Sequence, residues 1–96
     1  MQIVRTYSAG VFAVDSIEDV QYTLTGKHGV LRNARRLWYW DGAASLSELA
    51  SRGTSKPKNC KFPAPVDGIE VEQIIETLPV SEAAAASITS VPIWSA

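Results

Sequence analysis

The sequence predicts a small α+β domain: an antiparallel sheet of about four to five strands with two short helices packed on it, in a single domain over residues 1–96. Three observations point there. The first 40 residues are rich in β-branched and aromatic types broken by small turn residues, the pattern of successive strands. Two helix starts, at Ser45 and Ser81, carry side chains able to cap free amides. A chain of 96 residues, 46% hydrophobic and 20% charged, has room for one core and not two, and lies far from the composition of disordered segments.

Taken in order, strands are expected at 2–7, 11–17, 20–25 and 30–40. Ser8-Ala9-Gly10 turns the first pair, and Gly26-Lys27-His28-Gly29 connects the third and fourth, with glycine at both ends available for positive φ. The result is an antiparallel meander. Ile17 sits inside a polar group, Asp15 to Asp19, that fits either a strand or a wide loop. Ser45-Leu46-Ser47-Glu48 is a capping box, with Leu46, Leu49 and Ala50 as its apolar stripe and Gly53 as its stop. Residues 54–65 hold too much proline for a regular element and read as an ordered surface loop anchored by Phe62. From Val66 the period returns to two, with Ile69, Val71 and Ile75 on one face and Glu70, Glu72 and Glu76 on the other, up to Pro79. Ser81 caps a second helix whose buried stripe is Val80, Ala84, Ile88 and Val91, and Pro92 ends it. Trp94, almost at the C-terminus, either folds back onto the body or meets a partner.

Charge and cysteine content narrow the setting. The net charge of −1 offers no global attraction to nucleic acid or anionic lipid. It conceals a basic middle, since residues 27–61 hold eight of the nine basic side chains against only Asp41 and Glu48. Either neighbouring strands pair the opposite charges, or the basic face takes an anion and the acidic one a partner or second subunit. The single Cys60 cannot form an intrachain disulfide, which suits a reducing cytosol. No apolar run reaches the roughly 20 residues of a membrane helix, and the N-terminus lacks a signal-peptide pattern.

Candidate chemistry is sparse. The single His28 and single Cys60 are too few for a zinc site, and no metal or cofactor is expected. Cys60, near Lys58 and Lys61, is either activated by these cations or a small half-buried loop residue. Gly26 to Gly29 lacks the spacing and the following helix of a phosphate-binding loop. Glu70, Glu72 and Glu76 read as a solvated strand face. No nucleophile and base pair is evident, so the chain is not expected to be an enzyme.

The informative segment is Arg35-Arg36-Leu37-Trp38-Tyr39-Trp40-Asp41-Gly42. On a strand, Arg36, Trp38 and Trp40 point one way and Leu37 and Tyr39 the other, so one aromatic face is left over from an ordinary core. Guanidinium and indoles together form a surface suited to nucleotide bases and phosphates, or to a protein hot spot, unless a second layer buries both sets. Arg35, Arg36, Trp38, Tyr39, Trp40 and Asp41 are therefore the candidate ligand- or partner-binding residues.

Val4 to Ala13, the block Ala34-Arg35-Arg36-Leu37-Trp38-Tyr39-Trp40-Asp41-Gly42-Ala43-Ala44-Ser45-Leu46, Asn59 to Pro63 and the closing Val91 to Trp94 resemble an uncharacterised family of small proteins from tailed phages and prophages. The resemblance runs nearly end to end. It implies a phage or prophage origin and no particular activity. A phage accessory protein of this size is expected to act by stoichiometric binding in the host cytoplasm, as a host-takeover or anti-defence factor sequestering a host protein or a small nucleotide signal. The alternatives are a virion component, such as a decoration or tail-associated subunit, and a nucleic-acid-binding protein, which the acidic remainder of the chain disfavours. Three tryptophans and three tyrosines exceed what so small a core encloses, so a homo-oligomer is also expected.

Overall fold

The computed structural model describes residues 1–96. Its elements are β1 (Gln2–Thr6), β2 (Val11–Val14), β3 (Ser16–Thr23), β4 (Gly26–Arg32), β5 (Arg35–Arg36), α1 (Leu46–Arg52), a 3₁₀ turn (Pro57–Asn59), β6 (Ile69–Pro79) and α2 (Glu82–Ser90). This is the expected α+β arrangement of two helices on an antiparallel sheet, but the sheet has six strands in the order β3-β4-β6-β1-β2-β5 and not four to five.

The higher count has a local cause. β2 and β3 are one chain run broken at Asp15, and β4 and β5 are another broken at Asn33 and Ala34. The pairs Phe12↔Arg36, Ala13↔Arg35, Ser16↔Arg32 and Ile17↔Leu31 keep a single register across both breaks, so the two runs form one long bent hairpin. At the bend Asn33 takes φ 47, a left-handed conformation that asparagine tolerates. Its side-chain amide donates to Asp15 Oδ2 at 2.7 Å. One leg of this hairpin pairs with β1 and the other with β6, while β6 also pairs with β1. The ladder therefore returns to its start, and the sheet curls into a small barrel.

Closure gives the sheet two buried faces. Val4, Phe12, Val14, Leu31, Ala34, Val71 and Ile74 fill the inside of the curl. Ile3, Ala13, Leu37, Leu49, Phe62, Ile88 and Val91 form a second core between the outer surface and the helices. Alternation along β1 and β2 sends Ile3 and Ala13 to one core and Val4 and Phe12 to the other.

Two expected details change. The connection after β3 is Leu24-Thr25, and Gly26 to Gly29 belong to β4. Gly29 is needed there because a Cβ would lie 2.8 Å from Ile17 Cγ2. In β6, Gln73 adopts φ 55 and the pairing with both neighbours slips. This bulge moves the side chains by one position, so Val71 and Ile74 are buried while Ile75 is exposed.

The helices follow their caps. Ser45 Oγ accepts from Glu48 N–H at 3.1 Å, and Glu48 reaches back to Ala44 N–H at 2.9 Å, one residue earlier than a strict capping box. Ser81 Oγ accepts from Ala84 N–H and donates to Ser51 C=O, tying the start of α2 to the end of α1. Gly53 permits this approach, since a Cβ there would meet Ser87 Cβ at 2.3 Å. Val80, Ile88 and Val91 pack into the helix-side core, and Ala84 is fully buried beside Gly53.

Candidate functional site

The bent hairpin positions the candidate segment. β2 begins at Val11, after the Ser8-Ala9-Gly10 turn, so the ladder beside β5 ends once Leu37 N–H has bonded Val11 C=O. Beyond that point only the isolated Tyr39–Lys61 bridge pairs the chain, and strict alternation is lost. Leu37 turns into the helix-side core and Trp40 packs against the same core, whereas Trp38 is 65% and Tyr39 49% exposed. The expected division of Trp38 and Trp40 from Leu37 and Tyr39 is thus corrected: Trp38 and Tyr39 are the outward pair.

Arg35 and Arg36 do lie on opposite faces. Arg35 crosses the helix-side layer and donates to the carbonyls of Phe62, Pro63, Ile88 and Val91 at 2.7–3.1 Å, with its guanidinium 5.6 Å from the Phe62 ring centre. Burial lowers its pKa from the ordinary arginine value. It clamps the end of α2 to the proline-rich loop and is a structural residue. Arg36 lies over the Phe12 ring at 4.4 Å from the centroid, and its Nη1 donates to Ala9 C=O. No other protein acceptor takes its remaining donors, and no carboxylate pairs with it.

Asp41 is also structural. Its carboxylate accepts from Gly42 N–H at 2.8 Å and Asn59 Nδ2 at 3.1 Å, and its carbonyl accepts from Thr54 Oγ1. The Asn59 bond first, then the Gly42 amide, holds its pKa below the usual carboxylate value. Gly42, at φ 79, lies so close to the 54–56 loop that a Cβ would sit 2.5 Å from Lys56 N. Cys60 is buried beside this knot, its Sγ 3.5 Å from the Asp41 carbonyl. His28 lies on β4, bonded to Gln21 at 3.1 Å.

Two features flank the outward aromatics. On one side a cleft of about 400 Å³ lies between the Ser8 to Val11 turn and Arg36, Leu37, Trp38 and Trp40. On the other, Tyr39 and Lys61 exchange backbone hydrogen bonds, and Lys61 Nζ stands 5.9 Å from the Tyr39 ring and 5.6 Å from the Trp94 ring. Trp94 folds back, donating from its main-chain N–H to Phe62 C=O at 3.0 Å, yet remains 40% exposed. Lys61 and Trp94 were not among the candidates from the sequence. The near-terminal indole was a signal, but nothing local places residue 61 beside residue 39.

Two further clefts differ in chemistry. One, of about 370 Å³ beside Met1, Val14, Ile88 and Ile93, holds Arg35 and Asp15, both already hydrogen-bonded. The other is bordered by Asp19, His28, Glu70 and Glu72. Ion pairs join Arg5 to Glu76 at 2.8 Å and Arg32 to Glu18 at 2.9 Å, with Asp67 at 3.9 Å. Cross-strand pairing therefore absorbs only part of the charge, and Arg52, Lys56, Lys58 and Lys61 face no carboxylate within ion-pair distance.

No helix is long and apolar enough to cross a membrane. No curated protein and no solved structure matches the chain. A family model does, over residues 1–88, and on that match the chain belongs to the domain of unknown function DUF6948.

Proposed function

We propose that this chain is a phage or prophage accessory protein that works by stoichiometric binding, engaging a host protein or a small nucleotide signal through its Trp38-Tyr39 edge. The observation that carries the reading is the outward turn of Trp38 and Tyr39 beside unpaired cations, Arg36 on one side and Lys61 on the other. Exposed aromatics next to Arg or Lys make the flat, partly desolvated contacts that dominate recognition surfaces. The positions of His28 and Cys60 support binding over turnover: one lies on β4 bonded to Gln21, the other is buried in the Asp41 knot. The phage setting rests on the sequence resemblance. Native mass spectrometry of the purified protein with host extract tests it. One bound mass per binding unit is expected, released intact on heat denaturation and lost in Trp38→Ala. Multiple-turnover conversion abolished by replacing His28 or Cys60 would overturn the reading.

A virion or self-assembling subunit is the second reading, favoured by the outer edge of β3, which pairs with no strand. Val20, Tyr22 and Leu24 are exposed along this hairpin. Such an edge recruits a second strand unless it is blunted. Light scattering that shows only monomer at high micromolar concentration would remove this reading.

A further inference from the structure

The geometry points to the cleft between the Ser8-Ala9-Gly10 turn and Trp38 as a site for a nucleoside monophosphate unit, its base against the indoles and its phosphate at Arg36. The inference rests on the binding reading above and names the ligand class. Four observations converge. The cleft, about 400 Å³ and open to solvent, is of the size that small-molecule sites use. Trp38 and Trp40 both line it, and indole faces stack any base without needing a specific edge. Arg36 lines it too, held in place by the Phe12 ring and by Ala9 C=O, with the rest of its fork unbonded. A fixed guanidinium with free donors matches phosphate oxygens in a bidentate way that an ammonium cannot.

The fourth observation concerns the walls. No carboxylate lines the cleft, so an anion entering it meets no like charge. The other two clefts lack this combination. One has its arginine bonded to four carbonyls, and the other presents Asp19, Glu70 and Glu72 to any phosphate. A base-plus-phosphate unit reaches such a site either as a free mononucleotide or as one residue of a single strand.

Calorimetric titration of the full chain with AMP, GMP, CMP and UMP, and in parallel with adenosine, inorganic phosphate and a ten-residue oligo(dA), tests the inference. At least one mononucleotide should bind at one site per chain, about tenfold or more tighter than adenosine or phosphate alone. Tighter binding of the oligonucleotide than of AMP would identify the single strand as the source, and the reverse the free nucleotide. Trp38→Ala should weaken binding roughly tenfold with the fold unchanged, and Trp38→Phe should restore part of it. Arg36→Gln, which also loosens the turn, should abolish the advantage of AMP over adenosine. Nucleotides that fail to bind, or adenosine binding as well as AMP, would overturn the site. If Trp38→Ala still loses a macromolecular partner in that case, the binding reading stands without it. A bound nucleotide that is converted would instead preserve the site and sink the stoichiometric reading.

Discussion

Arg35, Leu37 and Asp41 are interleaved along the chain with Arg36, Trp38 and Tyr39, yet the two sets occupy different environments. The first set is buried or held by several bonds: four carbonyls surround Arg35, the helix-side core encloses Leu37, and Asn59 and Gly42 hold Asp41. The second is exposed, or bonded only in part. A distinctive sequence block is thus not a single functional unit. Half of it builds the platform that presents the other half.

The sharpest break of this contrast is Arg35→Ala. Removing a charged donor leaves four carbonyls of the 62–63 and 88–91 segments without their partner, and each bond to a charged group contributes more than a neutral one. A loss of about 3 kcal/mol is expected, read in thermal melts as a fall of roughly 12–24 °C in a domain of this size. An unchanged Tm would show that water replaces the guanidinium and that the clamp is dispensable.

Gly42→Ala comes next. The added methyl meets Lys56 N at 2.5 Å in a backbone at φ 79, so the loop must shift or the conformation be strained, at about 2 kcal/mol. Urea denaturation should show a lower midpoint with an unchanged slope.

Acid titration probes the same knot by charge. Because hydrogen bonds from Asn59 and Gly42 depress the Asp41 pKa, its contribution is fully present above the ordinary carboxyl value of about 3.9 and is lost as pH falls through the lower folded value. Asp41→Asn should therefore melt below the wild type at pH 6, and the gap should narrow below about pH 4. A gap that stays constant to pH 2.5 would mean that the carboxylate charge is not what the knot uses.

Trp38→Ala should have the smallest effect on the fold. The side chain is 65% exposed, so stability should stay within about 0.5 kcal/mol of wild type while partner capture is lost. A large fall in Tm would place Trp38 with the structural set and erase the division between the two.

Local chemistry was legible in advance. Both N-caps, the Val80 to Val91 stripe, the Phe62 anchor and the opposite faces of Arg35 and Arg36 all follow from spacing within a few residues. The strand over 30–40 was not, because Asn33 at φ 47 and the end of the β2 partner at Val11 interrupt it. The burial of Ile74 in place of Ile75 was equally hidden, since the bulge at Gln73 shifts the phase of the side chains next to it and a second slip at Ile75 shifts it back.

What the amino-acid order determined by itself is the class of the domain, the helix ends, and the presence of more aromatic surface than one core absorbs. Those properties depend on interactions within about one turn or one hairpin, where periodicity and capping act. Which aromatics face outward was decided only in three dimensions. Trp38 and Tyr39 are exposed because the long hairpin closes a barrel against β1 and β6 and its partner strand runs out at Val11. Lys61 stands near both the Tyr39 and the Trp94 rings because the proline-rich loop pairs with Tyr39 on one side and with the tail on the other. Contacts of such long sequence separation are set by how the whole sheet curls, and no local pattern encodes that.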